Sequence, residues 1–164
     1  QDVAAINSVI PLLKPLVPTV VNAVLAKLNQ FDITWDARAK RREGFTPTGA
    51  VEDVSKLTRD AKQIKFRKDM LSRYFARLLE NPYDESMIKD LEYVARIHTD
   101  TPTKKSKTNV DLIHINALLG YVEAVLIGGV KSLDLDRDTE HKAIAAFGKQ
   151  LWIQNDFFIK FYCN

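Results

Sequence analysis

The chain has 164 residues, of which 46% are hydrophobic and 27% are charged. This is enough apolar material for one globular domain with a sizeable core, and we expect residues 1–164 to form a single domain. The 24 basic and 21 acidic residues nearly balance, and Lys and Arg are interspersed with acids rather than collected in one stripe. Nucleic acid and membrane surfaces are therefore not expected as partners.

The cysteine content and the N-terminal segment bear on the cellular setting. A single cysteine, Cys163, excludes an intrachain disulfide, and no Cys/His spacing suggests zinc, which favours a reducing, cytoplasmic environment. The apolar segment 3–28 is interrupted by Lys14 and three prolines and lacks the features of a signal peptide, so we interpret it as a packing surface. Because the sequence stops directly after an apolar helix, it also fits a domain cut from a longer protein.

Apolar residues recur at helical spacing along the whole chain, with no alternating run long enough for a sheet. This pattern predicts an all-α fold. A short helix is expected before Pro15 and a second one from about Thr19 to Gln30, followed by a turn that contains Phe31, Ile33 and Trp35. The segment KRREGFTPTGAVED has three Gly and Pro residues close together and no periodicity, which predicts a loop within the domain.

Four longer helices are predicted in the remainder of the chain. The first is amphipathic and runs from about Ser55 to Glu80. The second spans about 85–99 and is expected to be capped by Asp84. After the polar linker TDTPTKKSKTN come helices over about 110–130 and 138–162. The acidic turn DLDRD before the last helix lacks the glycine and distal glutamate of a calcium loop, so it is predicted to be a helix cap.

His98 is the principal candidate for a functional residue. It follows Val94 and Ile97 at helical spacing, so its imidazole is expected on an apolar helix face. A histidine in that position is a core residue, a half-exposed helix end, or an axial ligand of a buried metal or cofactor. Motifs for phosphate loops, dinucleotide binding, zinc proteases and serine hydrolases are absent, which removes the main support for nucleotide-binding and hydrolase functions.

Four segments in order, NPYD, YVARIH, IHINALLG and WIQND, together resemble the globin domain of the globin-coupled sensor and protoglobin family. The later segments VDLIHINALLGYVEAVL and LWIQNDFFIKFY are most similar to the final two helices of the fungal globin-sensor proteins in that family. The resemblance covers most of the chain from about Pro11 onward. It implies a globin-like helical sandwich with two long C-terminal helices and haem b as the cofactor.

The resemblance implies that His98 is the proximal ligand of the haem iron. Its other ring nitrogen is then expected to donate to the backbone carbonyl of Val94, one turn earlier. His114 is expected to line the pocket or form a hydrogen bond there, with second axial ligation as an alternative, and His141 is expected in solvent. Six large apolar side chains on inward helix faces are expected to line the haem cavity: Leu25, Phe31, Trp35, Phe66, Met70 and Leu118.

The implied function is a sensor, not an enzyme, that binds oxygen, carbon monoxide or nitric oxide at the iron and signals through helix packing. Many family members carry a tyrosine in the early helix that donates to bound oxygen, whereas Leu25 occupies the matching place here. We therefore expect poor discrimination against carbon monoxide. The alternatives are a haem-free globin-like regulatory or dimerisation module and globin-type redox chemistry, which would need a reductase partner.

The last two helices carry more apolar surface than one core can use. In the final helix one apolar stripe is formed by Ile144, Phe147, Leu151, Phe158 and Tyr162. Four further residues extend the apolar surface well beyond this stripe: Trp152, Ile153, Phe157 and Phe161. In the preceding helix, surplus apolar surface is expected at Leu119, Val122, Val125, Leu126 and Val130. Gly128 and Gly129 are expected to let the backbone of another helix approach closely. We expect a homodimer through an antiparallel four-helix bundle, with Trp152 and Phe157 near its seam. The alternative is a C-terminal extension that covers this surface.

Overall fold

The computed structural model describes residues 1–34, 58, 61–80, 83–106 and 109–163. Within these ranges the chain forms α-helices and one short 3₁₀ turn, with no β-strand, so the predicted all-α class is confirmed. Residues 32–34, expected in a turn, are helical. The predicted loop KRREGFTPTGAVED and the predicted helix start at Ser55 lie outside the described residues.

The helices follow the predicted order, with boundaries close to those expected. They are α1 (Asp2–Leu13), a 3₁₀ turn (Lys14–Leu16), α2 (Val17–Leu28), α3 (Lys62–Glu80), α4 (Glu85–Arg96), α5 (Leu112–Lys131) and α6 (Arg137–Tyr162). Pro15 and Pro18 occupy first-turn positions of the 3₁₀ turn and of α2, where the missing N–H costs nothing. The prolines therefore divide the apolar N-terminal segment into two helices.

Two aspartates cap the helices that the sequence assigned to them. Oδ1 of Asp84 accepts from the backbone N–H of Ser86 at 2.9 Å, which starts α4. Oδ1 of Asp136 accepts from the N–H groups of Asp138 and Thr139, both at 3.0 Å, which starts α6. The hydroxyl of Thr139 also donates to Asp136, and these hydrogen bonds hold the pKa of that carboxyl below its usual range. The acidic turn is thus a helix cap, as predicted.

The long helix α6 organises the core, since it packs against α5, α1 and α4, while α2 packs against α3 and α5. One core cluster joins α1 to α5 and α6 around Val9, Val130 and Phe147. A second joins α2, α3, α5 and α6 around Val24 and Phe75. A third, smaller cluster joins the end of α4 to α5 and α6: Ala95, Ile115 and Phe158. The candidate site lies between the second and third clusters.

Two segments, Asp2–Leu28 and Leu112–Lys131, are long and apolar enough to cross a membrane by length and composition, with mean hydropathies of 1.7 and 1.6. In the fold they correspond to α1 with α2 and to α5. Their most deeply buried residues, such as Val21 and Val130, belong to the core clusters described above. The buried shares of the two apolar windows are 22% and 17%, and one or two such helices are weak evidence for a membrane location.

The outer faces of α5 and α6 differ in part from those predicted. On α6, Trp152 and Ile153 are exposed by 63% and 46%, but Phe157 is half-buried and packs against the third cluster. On α5, the exposed large apolar residue is Ile113, at 71%. The residues expected to supply surplus there instead pack inside the chain, because they lie on the inward faces of the helix: Leu119, Val122, Val125, Leu126 and Val130.

The two adjacent glycines of α5 also differ from each other. A Cβ added at Gly128 would meet no atom within 4 Å, so this glycine does leave room for another chain. A Cβ added at Gly129 would lie 3.7 Å from Cδ2 of Leu13. Gly129 therefore faces the N-terminal helix of its own chain, which corrects the prediction that both glycines lie on a free surface.

Candidate functional site

A cavity of about 250 Å³ lies between α2, α3, α4, α5 and α6. Its walls are mostly aliphatic and aromatic. The polar side chains among the described lining residues are Thr34, Arg67, Tyr74, His98 and His114. An apolar cavity with a few convergent polar groups is the usual form of a site for a small molecule or cofactor.

The structure brings most of the predicted site residues together at this cavity. Those among its described lining residues are Leu25, Met70, Val94, His98, His114 and Leu118. The predicted site residues come from α2, α3, α5 and the α4 region. Helix α6 contributes Leu151 and Phe158, which were not predicted as site residues.

Two predicted lining residues are not among the described residues of this cavity wall, and a third lies outside the part of the chain that the structure describes. Phe31 follows the end of α2, is 49% exposed and is not among the described lining residues, because the helical phase that would aim it inward ends at Leu28. Phe66, on α3, is half-buried and is not among the described lining residues, although it lies one helical turn before Met70, which is. Trp35 lies outside the described residues.

His98 lies just beyond the end of α4 and is half-buried. Its Nδ1 is 2.6 Å from the carbonyl oxygen of Val94, which is the contact predicted from the sequence. A carbonyl oxygen only accepts hydrogen bonds, so Nδ1 carries the proton, and in the neutral ring Nε2 carries the lone pair. A hydrogen bond from the nitrogen that does not bind the metal fixes the tautomer and the ring plane, and it is typical of metal-ligating histidines.

Helix α6 and the start of the α5 segment hold His98 in place. The ring of Phe158 packs edge-on against the imidazole, with centroids 5.7 Å apart. The carbonyl oxygen of His98 accepts from the N–H of Val110 at 3.0 Å. It also lies 2.9 Å from the hydroxyl of Tyr162, whose shorter contact, at 2.5 Å, is to the carbonyl oxygen of Val110. Burial, with the nearby carboxylate of Asp111, raises the pKa of Tyr162 to about 12, so this hydroxyl stays protonated at neutral pH.

The other two histidines occupy different environments. His114, in the first turn of α5, is half-buried and lines the same cavity as His98. His141, near the start of α6, is exposed, as predicted. Only two of the three imidazoles thus lie where a cofactor in this cavity would meet them.

A buried hydrogen-bond chain that the sequence did not reveal passes beside the cavity. The hydroxyl of Tyr74, on the cavity wall, donates to Oε1 of Gln154 at 2.7 Å, and Nε2 of Gln154 donates to the carbonyl of Leu91 at 3.3 Å. Gln154 is only 1% exposed, and burial raises the pKa of Tyr74. The chain joins α3, α6 and α4. The sequence signal for this hydrogen-bond chain was Gln154, a polar residue three positions after Leu151 on the inward face of α6.

Arg67 is the second site residue that was missed. Among the described lining residues it alone carries a permanent charge. The signal was its position four residues before Leu71 on the inward stripe of α3, where an aliphatic residue would be expected. A guanidinium at a mostly apolar cavity suits a ligand that carries a carboxylate.

Comparison with known proteins agrees with this geometry. The model of the Protoglobin family matches residues 1–164. No curated protein matches the chain. The family match does not separate fungal members from the others, so the narrower resemblance to fungal globin-sensor proteins stays a prediction. Family membership implies a haem-binding globin domain for a diatomic gas. Because the match spans every residue, the chain belongs to the Protoglobin family.

Proposed function

We propose that this chain is a haem-binding globin sensor domain in which His98 provides the proximal ligand to the iron. The observation that carries the proposal is the hydrogen bond from Nδ1 of His98 to the carbonyl of Val94, since it assigns the ring proton to Nδ1 and so makes Nε2 the nitrogen that can ligate iron, on a residue that lines the cavity. Haem b is the proposed form, because the covalent attachment of c-type haem uses a CxxCH motif and the chain has one cysteine.

The remaining lining residues fit such a cofactor. Aliphatic and aromatic walls suit the porphyrin ring, and the guanidinium of Arg67 suits its propionate carboxylates. When bound, haem supplies an iron centre that takes a diatomic gas. Leu25, on the cavity wall from α2, has no hydroxyl to donate to that gas. We therefore propose weak discrimination of oxygen over carbon monoxide.

The decisive experiment is hemin titration of the apoprotein with three single variants. The unmodified chain is expected to take up one equivalent of haem and show the visible spectrum of a histidine-ligated iron. His98→Gly should lose that spectrum while keeping its helical circular dichroism, and added imidazole should restore it, because the free ligand can enter the space left by the side chain. His141→Gly, at an exposed position, serves as the matched control and should behave as the parent.

Other outcomes of the titration assign the function differently. If His98→Gly keeps the parental spectrum without imidazole, His98 is not the ligand, and the third variant, His114→Gly, identifies the other imidazole at the cavity. If the unmodified chain takes up no haem, the domain is the haem-free globin-like regulatory module that the sequence also allowed.

The signalling part of the proposal rests on α6. The imidazole of His98 packs against Phe158 and the backbone carbonyl of His98 lies next to Tyr162, so a displacement of the imidazole reaches α6 through Phe158. The opposite side of α6 exposes Trp152 and Ile153. We propose that ligand binding changes the packing of α6 and that this change is read at its exposed face.

We propose that this face forms a homodimer with the exposed side of α5. Only 17% of the most apolar window of α5 is buried, and a Cβ at Gly120 or Gly128 would meet nothing within 4 Å. Ile113, Trp152 and Ile153 then lie near the seam. An exposed apolar surface on two adjacent helices is typical of a protein interface, and two copies of a helix pair pack naturally as a four-helix bundle.

A further inference from the structure

A polar residue, Asn155, lies on the outer stripe of α6. It shares this stripe with three residues that recur at intervals of four and three positions: Gly148, Trp152 and Ile159. Trp152 and Ile159 are exposed by 63% and 39%, whereas Asn155, between them, is only 8% exposed. An amide therefore lies at the base of an exposed apolar stripe.

The amide of Asn155 is not fully paired within one copy of the chain. Its Oδ1 is buried and accepts no hydrogen bond from the described residues. A bound water would need two to four polar partners, but the neighbours of Asn155 on the stripe carry no polar side chain apart from the indole N–H of Trp152. A buried oxygen that has lost its hydration without gaining a donor destabilises the chain. The stripe therefore needs a donor from outside this copy.

The stripe of α6 borders a similar stripe on α5. A Cβ added at Gly148 would lie 3.3 Å from Oε1 of Glu123, so the two helices meet along this edge. Three exposed residues precede Glu123 at intervals of three and four positions: Ile113, Asn116 and Gly120. Alternating intervals of three and four are the spacing of helices that pack side by side in coiled coils. The α5 and α6 stripes thus form one surface with the spacing of a helical seam.

We propose that Asn155 sets the register of the homodimer, because its amide pairs with a polar side chain of a second copy at this seam. The inference rests on the proposed homodimer and adds the polar contact that selects one alignment. A single Asn in an apolar helical seam specifies register and the number of chains, since other alignments leave its amide unpaired. The torsion about Cβ–Cγ of Asn is broad, so the amide can turn outward when the second copy docks.

The first measurement is the dissociation constant of the dimer by sedimentation of the full chain. Asn155→Ala should weaken dimerisation about 5- to 100-fold, because a twofold axis removes two equivalent hydrogen bonds at once. Asn7→Ala is the matched control, since Asn7 is an exposed asparagine inside α1 and the gain in helix propensity is the same. This variant should dimerise as the parent does.

The second measurement separates pairing across the seam from an ordinary packing role. In the background Trp152→Glu/Ile153→Glu, which is expected to be monomeric, Asn155→Ala should leave the free energy of unfolding unchanged or higher, because the oxygen it removes is unpaired in one copy. A side chain that only packs in the core would instead lower the stability of the monomer.

Two results would overturn the role of Asn155 alone: a dimeric parent whose dissociation constant is unchanged in Asn155→Ala, or a loss of monomer stability in the double-Glu background. A parent that stays monomeric would overturn the homodimer together with this inference. Both measurements are made on the chain without haem, so the hemin titration tests the haem-binding proposal independently.

Discussion

Replacing Tyr74 with Phe removes one hydroxyl from the hydrogen-bond chain that joins α3, α6 and α4. The ring remains, so the cavity wall keeps its shape. The loss is a 2.7 Å bond to Oε1 of Gln154, a side chain that is 1% exposed and has little access to replacement water. Leaving a buried acceptor unsatisfied costs about 1–3 kcal/mol. Tyr74→Phe should therefore lower the free energy of unfolding by about that amount.

Thermal and urea unfolding, followed by circular dichroism, measure this loss. For a chain of this size each kcal/mol lowers Tm by roughly 2–4 °C. Tyr83→Phe is the control, since its hydroxyl forms a longer bond of 3.4 Å to the carbonyl of Leu78 at a half-buried position and should cost less. In the Tyr74→Phe/Gln154→Leu double variant the two losses should not add, because both remove the same bond.

The same hydroxyl makes stability depend on pH in alkali. Burial raises the folded-state pKa of Tyr74 above its ordinary value of 10.0. Its contribution is therefore complete below pH 10 and is lost as the pH rises further, because the unfolded phenol ionises first. The stability of the parent should fall more steeply above pH 10 than that of Tyr74→Phe. The buried hydrogen-bond chain would be refuted if Tyr74→Phe and Tyr83→Phe lowered the free energy of unfolding equally and if the parent and Tyr74→Phe lost stability in parallel above pH 10.

Three further predictions concern the cavity and the outer face. Leu25→Tyr should slow oxygen release, since it places a hydroxyl on the cavity wall; unchanged stopped-flow kinetics would mean that this residue does not face the gas. Arg67→Gln should speed haem transfer to an acceptor protein about two- to five-fold, the value of a partly exposed ion pair; the effect should vanish with haem dimethyl ester, and a persisting effect would exclude a carboxylate contact. The parent should sediment as a dimer at tens of micromolar and Trp152→Glu/Ile153→Glu as a monomer, because the new charges would be buried at the seam; a monomeric parent would contradict this.

Features set by neighbours along the chain were predicted correctly from the sequence. The helix caps at Asp84 and Asp136 depend on residues two and three positions away. The contact between His98 and Val94 spans one helical turn, so helix geometry alone brings the two groups together. Periodicity likewise indicated that Leu25, Met70 and Leu118 face the cavity that they line, although Met70 is 39% exposed.

Features that depend on how helices pack against each other were visible only in the tertiary structure. The bond between Tyr74 and Gln154 joins residues 80 positions apart, and no local pattern pairs them. Gly128 and Gly129 are equivalent in the sequence, yet only Gly129 meets another helix of its own chain. A second apolar cavity, of about 30 Å³ beside the candidate site, is lined by residues from six elements. An apolar stripe states that a helix face is buried, but which helix covers it, and how completely, follows from the packing of the whole chain.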